Sequence, residues 1–387
     1  MEPMLLVAIT IFIIMSWLTL DIALGSRRLG SLGDSVPITA KDGPLVSIIV
    51  PACNEAETIA PALATLLAQD YGRLEIIVVN DRSTDGTGEI LREMQQRHPG
   101  RLIILGIREL PQGWLGKHHA LHCGAALAKG EILLFTDADI HMAPTTVARA
   151  VHRLEQAGLD HLCLIFKNKA KGWLLNSLIL DAGTGLFLLF KPWLAGNPRS
   201  KRFMGVGAFN MVRRQAYEQV GGHVAIKTHP IDDLMLGKII KEAGLRQECL
   251  SGYDFVAVEW YPSTGAMIEG LMKNLFALAN FNTALALAGA LGISLLTILP
   301  PWGVLLCHGP ARIFFALTVL LRLVFFSQAA RHGGLSPRLA PASMITPYVT
   351  VYTILRAIFI TLKNKGISWR GSHYSLDELR RKNRSLF

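Results

Sequence analysis

The sequence predicts an α/β domain built on a mostly parallel sheet, with apolar helices of membrane type on either side of it in the chain. Three observations carry this. Over residues 45–260, short apolar runs alternate with stretches of helical spacing, the pattern of parallel strands with helices on both sheet faces. Apolar runs long enough to span a bilayer gather before and after that region. The polar residues that break the pattern fall where apolar runs end, which is where open parallel sheets bind ligands.

The elements follow in order. Val46-Ser47-Ile48-Ile49-Val50, ended by Pro51, reads as a buried strand, and Glu55 to Gln69 as a helix. Leu74 to Val79 is a second strand, Asp85 to His98 a polar amphipathic helix, and Leu102 to Leu105 a third strand. Lys117 to Lys129 is helical, and Glu131 to Phe135 is a fourth strand that stops at Thr136-Asp137. Pro144 to Gln156 is a helix with proline at its start. Beyond Ala150 the pattern loosens. Strands are expected at His161 to Lys167 and Val206 to Val212, and helices at Gln215 to Val220 and Asp232 to Ala243.

The chain has 387 residues, 51% of them hydrophobic, with mean hydropathy +0.35, enough for one sizeable domain plus membrane segments. The expected division is an N-terminal transmembrane anchor at 1–26, the α/β domain at 45–260, C-terminal transmembrane or interfacial helices at 270–365 and a basic tail at 366–387. Net charge is +10, and the basic residues flank apolar segments: Arg27 and Arg28, Arg199 to Arg202, Arg331, and Arg380 to Arg384. That distribution suits a bilayer surface. No stripe of Arg and Lys interleaved with aromatics points to nucleic acid. The five cysteines are odd in number and none are at CxxC spacing, which argues against a disulfide framework and a tetrahedral zinc site and fits a reducing compartment.

Met4 to Leu24, broken by Asp21, is preceded only by Glu2 and followed by Arg27 and Arg28. This predicts an uncleaved anchor with the domain on the cytoplasmic side, as the positive-inside rule asks. Leu275 to Cys307, Ile313 to Ser327 and Met344 to Leu362 are the C-terminal apolar stretches. Three plain crossings would put the basic tail outside, so an even number is expected. Either one stretch is interfacial or re-entrant, or Leu275 to Cys307 folds as a hairpin. Trp173 to Trp193 reads equally as a core helix or an interfacial one.

Asp137 and Asp139 sit one residue apart at a strand end, where they can share a hard cation, Mg²⁺ or Mn²⁺, with substrate phosphates. The alternative is a solvated turn with Asp139 as a helix cap. Asp81 follows a strand and can accept hydrogen bonds from a base or ribose. Asp85 reads as a capping residue. Glu55 either bonds the ribose or favours a helix N-terminus. Asp232-Asp233 are adjacent carboxylates that raise one another's pKa, which suits proton abstraction, or else Asp232 caps a helix. His118 and His122 stand at i, i+4 without an HExxH pattern, and one of them is expected to line the cleft rather than bind zinc. Gly205-Val206-Gly207 lacks the third glycine of a dinucleotide fingerprint.

The series Val50-Pro51-Ala52-Cys53-Asn54-Glu55, Val79-Asn80-Asp81-Arg82-Ser83-Thr84-Asp85-Gly86-Thr87, Gly116-Lys117 and Thr136-Asp137-Ala138-Asp139 resembles family 2 glycosyltransferases of the GT-A fold, over about Leu45 to Glu259. The flanking apolar segments, Gly113-Trp114-Leu115-Gly116-Lys117 and Trp369-Arg370-Gly371 are similar to its hopanoid-associated and ceramide- or carotenoid-lipid branch. The resemblance implies a membrane-bound hexosyltransferase of the bacterial inner membrane, with its catalytic domain in the cytoplasm. It would move a sugar from a nucleotide-sugar donor, UDP-linked, to a membrane lipid acceptor such as a hopanoid. It implies that Pro51, Asn54, Glu55 and Asp81 contact the nucleotide sugar with Lys117 and Asp137, that Asp139 with Asp137 holds the metal, and that Asp233, or second Asp232, is the catalytic base. One departure stands out. Processive synthases carry a Gln/Arg-x-x-Arg-Trp signature where this chain reads Gly270-Leu271-Met272-Lys273-Asn274-Leu275, which leaves Lys273 as a candidate diphosphate contact. A polyprenyl-phosphate or polysaccharide-type sugar transferase, and a catalytically silent membrane scaffold, remain the alternatives.

Overall fold

The computed structural model of the chain describes residues 3–38, 43–369, 372–382 and 385–386. Helix α1 (Pro3–Ser26) precedes the domain. The domain then runs β1 (Val46–Ala52), α2 (Ile59–Leu67), β2 (Leu74–Asp81), α3 (Thr87–Arg97), β3 (Leu102–Ile107), α4 (Gly116–Leu127), β4 (Ile132–Phe135), β5 (His141–Met142), α5 (Thr146–Gln156), β6 (His161–Ile165) and β7 (Lys167–Asn168). After α6 (Trp173–Phe190) come β8 (Asn210–Arg213), α7 (Arg214–Gln219), α8 (Asp232–Glu242), β9 (Gln247–Ser251) and β10 (Val256–Val258).

The main sheet has the order β3-β2-β1-β4-β8-β6-β9 and is parallel apart from β8, which runs against both β4 and β6. Strands buried on both faces are apolar along most of their length: the buried Ser47 and Glu75 bond each other, while Ile48, Ile49, Ile76, Ile77, Leu133 and Leu134 are at most 1% exposed. Burying each such side chain is worth about 1.5–3 kcal/mol before chain entropy is counted. The chain winds from β1 outward to β3, then returns to place β4 on the other side of β1. That reversal opens a crevice at the carboxyl ends of β1 and β4, the usual ligand position in such sheets.

Two expected elements start four residues later than their spacing predicts. The helix expected from Glu55 begins at Ile59, because the Glu55 and Ala56 N–H groups donate instead to Thr87 Oγ1 and Asp85 Oδ2. The strand expected from Val206 begins at Asn210, because the backbone at 206–209 turns and Gly207 N donates to Asp233 Oδ2.

Helix α9 (Thr264–Leu278) ends at Asn280 and Phe281, both in the left-handed region (φ 51° and 55°). Beyond it, α10 (Thr283–Ile293), a short π-helical turn and α11 (Leu299–Leu306) form one apolar rod, Thr283–Leu306. Leu275 to Cys307 is therefore not a hairpin. Cys307 and His308 turn the chain into α12 (Gly309–His332), and a 3-10 segment, Pro337–Met344, meets α13 (Thr346–Lys363) at 53°. The hairpin β11 (Gly366–Trp369) and β12 (Ser372–Ser375) and helix α14 (Leu376–Lys382) close the described chain. Of the tail motif expected from sequence, Arg370 and Gly371 lie outside the described residues.

Pro3–Ser26, Trp173–Leu194, Thr283–Leu306 and Gly309–His332 are long and apolar enough to cross a membrane. The sheet removes one of them from the list of simple crossings. β6 and β8 flank α6 in sequence and are hydrogen-bonded neighbours, so both ends of α6 lie on one side of any bilayer. α9 contributes Phe276 and Ala277 to the main core, and Ile367 of the hairpin and Leu376 and Leu379 of α14 contribute to it too. The same cluster also holds Ala286 and Ala290 of α10 and Ile354, Ala357 and Ile358 of α13, so it joins the domain to the helices that follow it. By length and apolarity Thr283–Leu306 and Gly309–His332 could each cross a bilayer, and the bent pair is either a broken span or a re-entrant segment.

Candidate active site

The site is assembled from the crevice ends inward. The turn after β1 carries Asn54 in the left-handed region (φ 57°). Its side chain accepts from Thr84 N at 2.8 Å, and its N–H donates to Ser83 Oγ at 3.0 Å. Asp85 Oδ1 caps α3 through Thr87 N at 3.0 Å. These bonds fasten the β1 and β2 turns together, which holds Glu55 and Asp81 beside one cavity.

Asp81 is 3% exposed and both its oxygens are taken by the Arg82 guanidinium, Nε at 2.7 Å and Nη2 at 2.9 Å. Arg82 holds φ 55°, a left-handed conformation that costs a side chain about 1–2 kcal/mol. A two-pronged guanidinium–carboxylate pair is the strongest neutralisation protein side chains offer. Sequence reading passed over Arg82, since nothing in its spacing marks it.

Lys117 stands in the first turn of α4. Its Nζ lies 2.7 Å from Asp137 Oδ1 and 3.3 Å from Asp232 Oδ2. Burial works against its charge, yet Asp137, Asp232 and Asp233 outweigh burial and hold its pKa above the usual lysine value. Asp139 has no such partner. Burial, then the like charges of Asp137 and Glu55, push its carboxyl up to about 7. A divalent cation would relieve that excess of negative charge, so the donor chemistry fits. Among the described residues no three His, Cys, Asp or Glu side chains converge on one point. Such an ion would need oxygens from a ligand to complete its shell.

Asp232 and Asp233 open α8. Burial disfavours both charges, but Lys117, His118 and His223 bring Asp232 below the usual carboxylate range. Burial and the Asp232 charge hold Asp233 above it. Asp233 Oδ2 accepts from Gly207 N at 2.8 Å, and its Oδ1 from Leu234 N at 2.8 Å. The pair is thus split into a carboxylate tied to Lys117 and a more basic one facing the cavity.

Gly205 and Gly207 belong to this site as scaffold. A Cβ on Gly207 would stand 2.9 Å from Asp137 Oδ2 and 3.4 Å from Asp233 Oδ2, and one on Gly205 would collide with the Asp233 carbonyl. Gly237, one turn along α8, would likewise strike Met204 O. The segment passes between the carboxylates of β4 and those of α8, and only glycine leaves room. The signal was present in the sequence as paired glycines before a strand and Asp-Asp-x-x-x-Gly on a helix. Weighing the glycines against a dinucleotide fingerprint hid it.

All these carboxylates, Lys117 and Pro51 line one cavity of about 1480 Å³. Asn54 does not; it acts through the loops it fastens. Lys273 of α9 lines it. The histidine expectation is corrected. His118 is fully buried, edge-on to His223 at 6.2 Å, and His122 stacks on Trp114 at 5.1 Å, so neither reaches the cavity. Away from the carboxylates the wall becomes apolar and is supplied by α1, α6, α9, α12 and α13, for example Ile22, Leu178, Leu271, Phe325 and Ile354.

Comparison with known proteins agrees with this architecture. Residues 47–221 match the family model "Glycosyl transferase family 2". A 4,4'-diaponeurosporenoate glycosyltransferase of Staphylococcus haemolyticus is 28% identical over 239 residues, 59% of this chain and 60% of that protein. A Bacillus subtilis protein named "Probable glycosyltransferase YdaM" is 32% identical over 47% of this chain and 43% of its own. The chain thus spans well under two thirds of the length of these curated relatives. Among solved structures, the mannosyltransferase PcManGT from Pyrobaculum calidifontis, in complex with GDP-Man and Mn²⁺, superposes with TM-score 0.58 at 21% identity, covering 89% of this chain and 99% of that one. At that identity the likeness establishes the fold, GT-A.

Proposed function

We propose, from the match of residues 47–221 to the glycosyl transferase family 2 model, that the chain is an inverting transferase moving a sugar from a nucleotide-sugar donor to a membrane lipid acceptor. The observation that carries the reading is the continuity of the cavity, which joins the carboxylate end to a wall of apolar helices. A water-soluble acceptor needs no such wall. A lipid hydroxyl could reach Asp233 while its tail stays among α1, α6 and α13. The names of the relatives support the reading: one acts on a diaponeurosporenoate, and the fold neighbour was solved with a nucleotide sugar and Mn²⁺.

In this mechanism Asp233 accepts the proton of the acceptor hydroxyl as its oxygen bonds the anomeric carbon. The bond from that carbon to the donor diphosphate breaks on the opposite face, inverting the centre, and the diphosphate leaves with the electron pair. Lys117 lies within reach of the developing charge, and Asp232 keeps it protonated and in place. Mg²⁺ or Mn²⁺, held by Asp139 with Asp137 beside it, would supply further neutralisation of the diphosphate. Glu55 and Asp81 bind the nucleoside side of the donor. The membrane location, the cytoplasmic domain and a hopanoid acceptor belong to this proposal.

A polyprenyl phosphate would need a basic pocket. Arg199, Lys201 and Arg202, the segment that could form one, stay outside the cavity, and Arg202 Nη1 donates to Leu189 O at 2.6 Å. The deciding experiment offers radiolabelled UDP- and GDP-sugars with Mg²⁺ or Mn²⁺ to the full chain in membranes containing hopanoid or carotenoid lipids. Label should enter the lipid fraction and fail to do so with Asp139→Ala. Absence of both transfer and donor binding across the panel would favour a scaffold.

A further inference from the structure

The hairpin β11–β12 follows the last apolar helix, yet it does not sit with the apolar helices alone. Ile367 is 6% exposed and belongs to the large apolar cluster that joins the α/β domain to α10 and α13, as do Leu376 and Leu379 just beyond the hairpin. Its fold is fixed locally by its own register, Ile367 opposite Tyr374 and Trp369 opposite Ser372, and by Leu376 N donating to Lys365 O at 2.9 Å. From the other direction, Asn280 at the break after α9 bonds Ser385 Oγ at 2.9 Å and accepts from Leu386 N at 3.0 Å. Arg380 Nη2 donates to Phe281 O at 2.8 Å, and Lys238 of α8 reaches the Ser385 carbonyl. The end of the described chain is therefore fastened to the helix that begins with Asp232-Asp233.

Where the hairpin meets the domain, it meets the nucleoside end of the cavity. Arg82 Nη1 approaches Ser372 Oγ at 3.5 Å while the rest of its guanidinium holds both oxygens of Asp81. Tyr374, Ile367 and Gly366 line the same cavity as Asp81, Arg82 and Cys53. The domain supplies a carboxylate to the edge of a nucleobase. A flat aromatic ligand also has faces, and Tyr374 is the aromatic ring that the hairpin adds to this wall.

Resting on the donor reading above, we propose that the β11–β12 hairpin is the outer wall of the nucleoside subsite, with Tyr374 stacking on the base of the donor and the Arg82–Ser372 contact setting the hairpin against Asp81. Because β11 continues directly from α13, whose residues line the apolar part of the cavity, the same segment touches donor and acceptor ends. Arg82 is a positioning residue here: it orients Asp81 and receives the hairpin.

The test uses the full chain in lipid nanodiscs with UDP and GDP as probes, in the presence of Mn²⁺, by equilibrium dialysis and hydrogen exchange. Wild-type protein binds one of the two, and its amides at 372–375 gain protection when the nucleotide is added. Tyr374→Ala weakens that nucleotide about tenfold, the scale of one base–aromatic stack. Tyr374→Phe restores wild-type affinity, because the ring rather than the hydroxyl does the binding. Thermal midpoints of both variants, read without nucleotide, separate lost stacking from lost folding. Unchanged affinity in Tyr374→Ala, or unchanged protection at 372–375, overturns the hairpin's role while leaving the donor reading intact. Failure of wild-type protein to bind either nucleotide overturns both.

Discussion

At the scale of single residues, the site separates groups of one chemical type by their neighbours. Asp232 and Asp233 are adjacent and identical, but Lys117 claims the first and leaves the second above the usual carboxylate range. Asp233→Asn should lower kcat by about 10²–10⁴-fold with donor affinity kept, as steady-state kinetics and nucleotide binding can check. A base must be deprotonated to act, so the acid limb of the kcat/KM profile should lie above that of an exposed aspartate. Gly207→Ala should cost about 10²-fold in kcat/KM, since a methyl there forces Asp137 away from its seat. Much of this was legible in the sequence as residue types at strand ends. Asn54 was not. Its carboxamide turns to the neighbouring loop, a choice made by a partner 30 residues away. His161, fully buried with Nε2 on Asn210 Oδ1, gives a stability prediction. Burial lowers its pKa from 6.5 to about 4, so the neutral form is the folded one. Stability is complete above pH 6.5 and falls as pH drops from there toward 4, by about 3 kcal/mol for this group. Thermal midpoints measured across that window should drop, and His161→Gln should flatten the drop.

At the scale of elements, spacing located β1 to β4 and β6 because their apolar runs are nearly continuous, and it left β5, β9 and β10 unplaced. It failed where backbone groups serve the site, at the late start of α2 and the shortened β8. Helix α6 shows the limit of composition. The sequence reads it as a core or an interfacial helix; by length and apolarity it could also span a bilayer, yet the pairing of β6 with β8 forbids a crossing. Sequence also could not show its chief polar tie. Asp181 of α6 takes Arg322 Nη2 of α12 at 3.1 Å on both oxygens and accepts from Thr346 Oγ1 at 2.8 Å, while Arg322 Nε donates to Ser343 O. Removing one partner of this part-buried pair strands the other. Arg322→Ala should therefore destabilise the helical layer by about 3–5 kcal/mol, seen as a lower unfolding midpoint in detergent, with Asp181→Leu combined with Arg322→Met recovering part of the loss.

At the scale of the whole molecule, the expectation of an even number of returns rested on the charge of the tail. Independently of that charge, Asn280 and Phe281 after α9 bond Ser385, Leu386 and Arg380, so the two ends of the C-terminal helical segment meet. Single cysteines in a background lacking the native five can test this in sealed vesicles. A cysteine at the turn before α12, at His308, should react with a membrane-impermeant maleimide from the face opposite to one at Cys53. A cysteine at Glu378 should behave like Cys53. Equal reactivity of positions 308 and 53 from one face would remove the two crossings between them.

The shared side of the domain and the returning tail bears on where the product goes. On the proposed activity and orientation, a chain whose sheet, donor pocket and C-terminal hairpin all face one compartment would draw sugar nucleotide from that compartment and finish its reaction at that surface. Under the proposed activity, the glycosylated lipid is left in the leaflet from which its acceptor was taken. Display of the sugar on the far face then requires a separate translocation event, and the leaflet asymmetry of the product reports the orientation of the enzyme.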